Sequence, residues 1–207
     1  MKKFVSMVLT LAMVVLLAAP AYTSPAMAAT PRAQELAEML YAADLFRGYG
    51  KDAAGQPIFG LDDTATRAES LVMLVRMLGK EAEARNTNYT TPFTDIPDWC
   101  KSEIGYGYTS GLTSGTSETT FSPTKTVTNT EFLVFALRAL GYESGADYEW
   151  AKAAVKAAEL GVIATGEYTD SKNTFTRGDM VIVAYGALTT KVKGSDKTLA
   201  ETLGLNL

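Results

Sequence analysis

Apolar side chains recur along this chain at a spacing that fits one side of a helix, three times over and from the same opening phrase. The phrases are Thr66-Arg67-Ala68-Glu69, Thr128-Asn129-Thr130-Glu131 and Thr176-Arg177-Gly178-Asp179. Counted from the acidic residue, apolar or aromatic side chains fall at offsets 2, 5, 6 and 9. These are Leu71, Leu74, Val75 and Leu78; Leu133, Ala136, Leu137 and Leu140; Val181, Ala184, Tyr185 and Leu188. The period predicts an amphipathic helix of about a dozen residues in each case. Thr with an acid three positions on is a capping box, in which hydroxyl and carboxylate satisfy N–H groups that a helix start leaves unpaired. Thr66 with Glu69, Thr128 with Glu131 and Thr176 with Asp179 are therefore structural caps.

A second helix-length segment precedes each capped one. Trp99 is followed by Ile104, Leu112 and Gly115 at offsets 5, 13 and 16, and Trp150 by Val155, Ile163 and Gly166 at the same offsets. Counting back from Gly48 gives Leu45, Ala37 and Arg32, so the first copy keeps the apolar frame but has Arg in place of Trp. The unit reads as helix, Gly-containing turn, loop, capped helix, and it recurs after 62 and then 48 residues. An aromatic residue precedes every capped helix (Phe59, Phe121, Phe175) and reads as a plug that packs the loop onto the helices. Polar residues 86–94 read as a linker. A helical pair of this size cannot cover both its apolar faces alone, so the copies must stack.

These features predict an all-α fold of three tandem helix-loop-helix repeats packed as a pseudo-threefold bundle. Its segments are 29–85, 86–145 and 146–193, with a short helical tail over 194–207 opened by Ser195 or Asp196. Residues 1–28 read as a signal peptide: Lys2 and Lys3 precede sixteen residues from Phe4 to Ala19, and Ala26-Met27-Ala28 offers a small-x-small cleavage site. The apolar stretch falls short of the roughly 20 residues a membrane-spanning helix needs. Without Lys2 and Lys3, seventeen basic residues face twenty-three acidic ones, a net −6 that weighs against nucleic acid.

The chain has no histidine, which removes Ser-His-Asp and Cys-His catalysis and any His-bearing zinc site. No cofactor or metal is expected, and the chain reads as a non-enzyme. The single cysteine, Cys100, cannot form an internal disulfide and reads as a small half-buried side chain.

Phe93-Thr94-Asp95-Ile96-Pro97-Asp98-Trp99, then Gly111-Leu112-Thr113-Ser114-Gly115, Phe121-Ser122-Pro123 and the Thr-x-x-Glu helix resemble the S-layer homology repeat of bacterial surface proteins. The likeness runs from about residue 32 to 190. It implies a secreted protein in the cell wall or S-layer of a Gram-positive-type bacterium, anchored noncovalently to a pyruvylated secondary cell-wall polysaccharide. Peptidoglycan-associated polymers and other surface-layer proteins are the further partners it implies. By the same resemblance the ligand-binding set is Arg67, Arg177, Asn129, Trp99, Trp150, Asp95, Gly115 and Gly166.

Arg67 and Arg177 stand at the first helical position, where the helix dipole disfavours a cation and calls for an anion. A ligand carboxylate, held with help from N–H groups at the helix start, is one source; a Glu or Asp of the neighbouring repeat is the other. Trp99 and Trp150 serve either as sugar-stacking faces or as core anchors. Asn129 brings no charge to its groove, which is expected to be the weakest. A protein–protein adaptor, or a structural piece of a surface layer without glycan affinity, is the alternative function.

Overall fold

The computed structural model describes residues 25–168 and 174–207, and within them every regular element is helical. In chain order these are α1 (Pro25–Ala42), α2 (Arg67–Met77), α3 (Glu81–Asn86), α4 (Lys101–Thr109), α5 (Asn129–Ala139), α6 (Ala153–Glu159), α7 (Arg177–Leu188) and α8 (Leu199–Thr202). Single 3₁₀ turns at Asp98–Cys100 and Trp150–Lys152 lead into α4 and α6. None of the described helices is long and apolar enough to cross a membrane. The signal-peptide expectation falls largely outside the described residues; its cleavage site lies in the first turn of α1, ahead of the buried residues that begin at Ala33.

The three expected caps form. Thr66, Thr128 and Thr176 each accept from the backbone N–H three residues on, and Glu69, Glu131 and Asp179 each reach back to the cap N–H. A fourth box, Thr198 with Glu201, opens α8, so the tail helix starts later than Ser195 or Asp196.

Helices α2, α5 and α7 pack on one another, with α1 against α7, α4 against α2 and α6 against α5. Each capped helix is buried on nearly all sides: of the stripe residues only Leu78 and Tyr185 keep partial exposure. Phe59, Phe121 and Phe175 are buried plugs, as expected.

One feature of the repeat pattern does not carry into packing. Equal offsets from the tryptophans do not give equal burial, since Ile104 is buried but Val155 is 57% exposed. Helix α6 has 7 residues against 9 in α4, and its buried positions are the small Ala153 and Ala157. The linker follows α3, which ends at Asn86, and within it Tyr89 stacks edge-on against Tyr106 at 5.5 Å. Val75, Ala84 and Tyr106 form a small satellite cluster there.

Because Leu74 and Leu137 are buried in the core, Leu74→Asp or Leu137→Asp would bury a carboxylate without a partner. Each substitution should cost more than about 4 kcal/mol and abolish the cooperative melt followed by circular dichroism. A parent-like Tm in either variant would show the core is placed wrongly.

Candidate functional site

The starts of the capped helices lie together, and those of α2 and α7 are completed by a loop from another part of the chain. At α2 the N–H groups of Arg67 and Ala68 donate to the carbonyls of Lys125 (2.9 Å) and Pro123 (3.1 Å). At α7 those of Arg177 and Gly178 donate to Asp63 and Leu61, both at 2.8 Å. With Thr66 and Thr176 taking the third N–H, the first turn of each helix is satisfied from within the protein. An anion site made of those N–H groups is therefore already filled.

The arginine side chains follow the same route. Arg67 donates from Nη1 to Glu131 Oε1 (2.9 Å) and from Nε to the Phe121 carbonyl (3.2 Å), its guanidinium 5.1 Å from the Phe121 ring centre. Arg177 pairs with Glu69 and donates to the carbonyls of Phe59 (2.9 Å) and Arg47 (3.1 Å), lying between the rings of Phe46 and Tyr49. Both are buried. Of the two anion sources open from sequence, the neighbouring cap acid is the one in contact. Asn129 is shorter and donates to the Tyr168 carbonyl at 2.6 Å, while the Tyr168 hydroxyl reaches Asp179 at 3.2 Å. Burial, followed by the nearby Asp179 charge, pushes the Tyr168 hydroxyl well above its usual range.

Two open grooves lie over these contacts, and they match part by part. One, about 500 Å³, is floored by Arg67 and Glu131, walled by Val134, Phe135 and Arg138 of α5, bounded by the turn 111–115 and overhung by Trp150. The other, about 370 Å³, is floored by Arg177 and Glu69, walled by Val72, Met73 and Arg76 of α2, bounded by the turn 46–49 and overhung by Trp99. Each groove thus draws on all three segments. The tryptophans are 50% and 57% exposed, so they are rim residues and not core anchors.

Gly115 adopts a left-handed φ of +79°, and a Cβ there would lie 2.5 Å from the Phe93 ring. Asp95 stands behind the groove: its carboxylate accepts from the N–H groups of Phe121 (2.9 Å) and Ser122 (2.8 Å), holding the loop whose carbonyl takes Arg67. Burial raises its pKa, but those two hydrogen bonds outweigh it and leave the carboxyl below its ordinary value. Gly166, Asn129 and Asp179 belong to neither groove.

Sequence reasoning did not single out Arg76 and Arg138. They share offset 7 from the cap acid, where the third segment has Gly186; this lies within the span aligned for the apolar stripe, and comparing the polar positions of the same three copies would have exposed the pair. Gly186 is dictated by packing, because a Cβ on it would lie 2.0 Å from the Val162 carbonyl oxygen.

Residues 92–132 match the family model described as the S-layer homology domain. The chain is similar to a middle cell wall protein of Brevibacillus brevis strain 47, 30% identical over 197 residues, which cover 91% of this chain and 18% of that protein. It is also similar to a cell surface protein of Thermoanaerobacter kivui, 30% identical over 195 residues, 91% of this chain and 24% of that one. A surface layer protein of Brevibacillus choshinensis is 30% identical over 169 residues, 78% and 15% of the two chains. The chain thus spans about a quarter or less of the length of these curated relatives.

Arg177→Ala would leave Glu69 and two buried carbonyls without their partner. Denaturant unfolding should show a loss of about 3–5 kcal/mol, whether or not a ligand is present. An unchanged midpoint would mean that the pair does not hold the segments together. For Asp95, whose folded pKa is depressed, the stabilising effect is complete above the unfolded value of about 3.9 and is lost as pH falls through the folded value. Asp95→Asn should therefore lower Tm at pH 7, and the gap to the parent should close in acid; a gap independent of pH would contradict this account.

Proposed function

We propose, from the premise that residues 92–132 are an S-layer homology domain, that this chain is a triplet of such repeats anchoring a secreted protein to the cell surface. The bundle is read as pseudo-threefold, with segments 29–85, 86–145 and 146–193 as the copies. The family and the named relatives support a location in the cell wall or surface layer of a Gram-positive bacterium. The ligand is an acidic, pyruvylated secondary cell-wall polysaccharide.

The observation that carries this reading is the repeated pairing of an exposed indole with a guanidinium-lined groove. An exposed Trp face suits a sugar ring, and a groove walled by Arg suits an acid substituent. In this scheme Arg67 and Arg177 hold the groove floors and orient the cap acids, while Trp99 and Trp150 stack on sugar. The third corner, with Asn129, Gly186 and Arg32 at the corresponding positions, lacks the indole and both arginines and binds least.

Cosedimentation with purified sacculi, before and after extraction of the secondary polymer, tests the proposal. The full chain should sediment only with polymer-bearing sacculi, and Trp99→Ala together with Trp150→Ala should weaken binding on the order of tenfold or more without moving Tm. Equal sedimentation with stripped sacculi would reject the polymer as ligand, and binding only to other surface-layer proteins would favour the adaptor reading.

A further inference from the structure

We infer that residues 190–207 form a latch that fastens the far ends of all three capped helices, and that its undocking loosens those ends while the junctions at the helix starts stay made. Helices α2, α5 and α7 have 11, 11 and 12 residues, so their C-terminal ends lie roughly 17 Å from the starts, beyond the reach of the cap acids and their arginines. The latch is independent of what the grooves bind.

The tail meets each capped helix in turn. From α7 the chain runs into a hairpin, closed by Leu199 N–H to the Thr190 carbonyl and Val192 N–H to that of Lys197, both at 3.0 Å, with Gly194 at φ +72° in its turn. Within that hairpin Lys193 N–H donates at 2.9 Å to the carbonyl of Leu140, the residue that ends α5. Lys193 Nζ reaches Asp147 Oδ1 at 2.5 Å and lies 5.6 Å from the centre of the Tyr142 ring. Helix α8 then buries Leu199 and Ala200 and lays Leu203 on the turn that follows α2.

Two glycines make room for these contacts. Gly79 and Gly141 follow the ends of α2 and α5 with left-handed φ values of +65° and +85°. A Cβ on Gly79 would lie 3.0 Å from Leu203 Cδ2, and one on Gly141 would lie 3.5 Å from Lys193 Cβ. One tail thus touches the far end of every capped helix.

The tail is also a separable unit. Helix α8 has four residues, too few to persist undocked, so hairpin, helix and docking contacts are made or lost together. Leu199 and Ala200 are its buried apolar residues, and Val192, Leu203 and Leu205 are only partly covered. The α2 and α7 starts, by contrast, each combine a buried guanidinium with backbone bonds between segments. Opening from the tail therefore costs less than opening at the starts. A pull or a protease acting on the tail frees the far ends first, and the segments stay joined at their starts.

Native-state amide hydrogen exchange of the full chain in rising sub-denaturing guanidinium tests the latch, on the parent, Leu203→Ala and Leu203→Val. In the parent, the amides of Lys193, Leu199 and Leu203 should open as one unit, ahead of those of Arg67, Ala68, Arg177 and Gly178, which donate across the junctions. Leu203→Ala should speed exchange on the order of tenfold at the tail and at Gly79, Lys80 and Gly141, which close α2 and α5, and leave the junction amides unchanged. Leu203→Val should give the same pattern with a smaller rise.

Faster exchange confined to the tail would make it a passenger and overturn the inference. An equal rise at the tail and at the junctions would overturn it too, because the chain would then open only as a whole. Should Leu203→Ala not fold, the parent and Leu203→Val decide: tail and junction amides that open together in the parent, or closing turns unmoved in Leu203→Val, overturn the latch.

Discussion

The fold depends on what the first side chain of each capped helix does. Arg67 reaches Glu131, Asn129 reaches the loop carbonyl of Tyr168, and Arg177 reaches Glu69, so the contacts pass from the first segment to the second, the second to the third and the third back to the first. The cap acids make this possible by dividing their oxygens. Glu69 and Glu131 each accept the cap N–H on Oε2 and the incoming arginine on Oε1. One carboxylate thus closes its own helix start and docks the neighbouring helix, and local and tertiary structure share a hydrogen-bonded centre. The backbone follows suit: Val127 N–H donates to Ala65 (2.9 Å) and Ala65 N–H to Phe175 (3.2 Å), linking the three segments just ahead of the helices.

Satisfying the cations internally changes what the junctions can offer to a ligand. A buried guanidinium paired with a half-buried acid is costly to break and poorly available to an outside anion. In the proposed binding scheme it keeps a groove floor rigid, while the exposed indoles and the arginines two to three turns further along the helix face the opening. The junctions differ because packing intervenes: close approach of the Val162 carbonyl removes the side chain at position 186, and the Tyr168 hydroxyl meets the acid that an arginine meets elsewhere.

Local chemistry was readable in the chain itself. A Thr and an acid three residues on, at the head of an apolar helical stripe, close a helix start between them whatever else the acid contacts, so Thr66, Thr128 and Thr176 identified their helices without tertiary information. The buried aromatic plugs and the stripe were readable for the same reason, since helical periodicity is a property of one segment. Where burial depends on how far two helices approach, the pattern misled. Val155 repeats the offset of Ile104 and is exposed, because α6 is shorter and meets α5 through alanines.

The sequence by itself therefore determined the all-helical class, the capped helix starts, the plugs and the resemblance that points to the cell surface. Which anion each first-turn arginine would meet was left undecided, because a ligand carboxylate and a neighbouring Glu satisfy the same cation equally well. Only the tertiary structure, by setting the cap acid of one segment against the arginine of another, chose between them. The grooves were beyond sequence for a related reason: each is assembled from three distant stretches that only folding brings near.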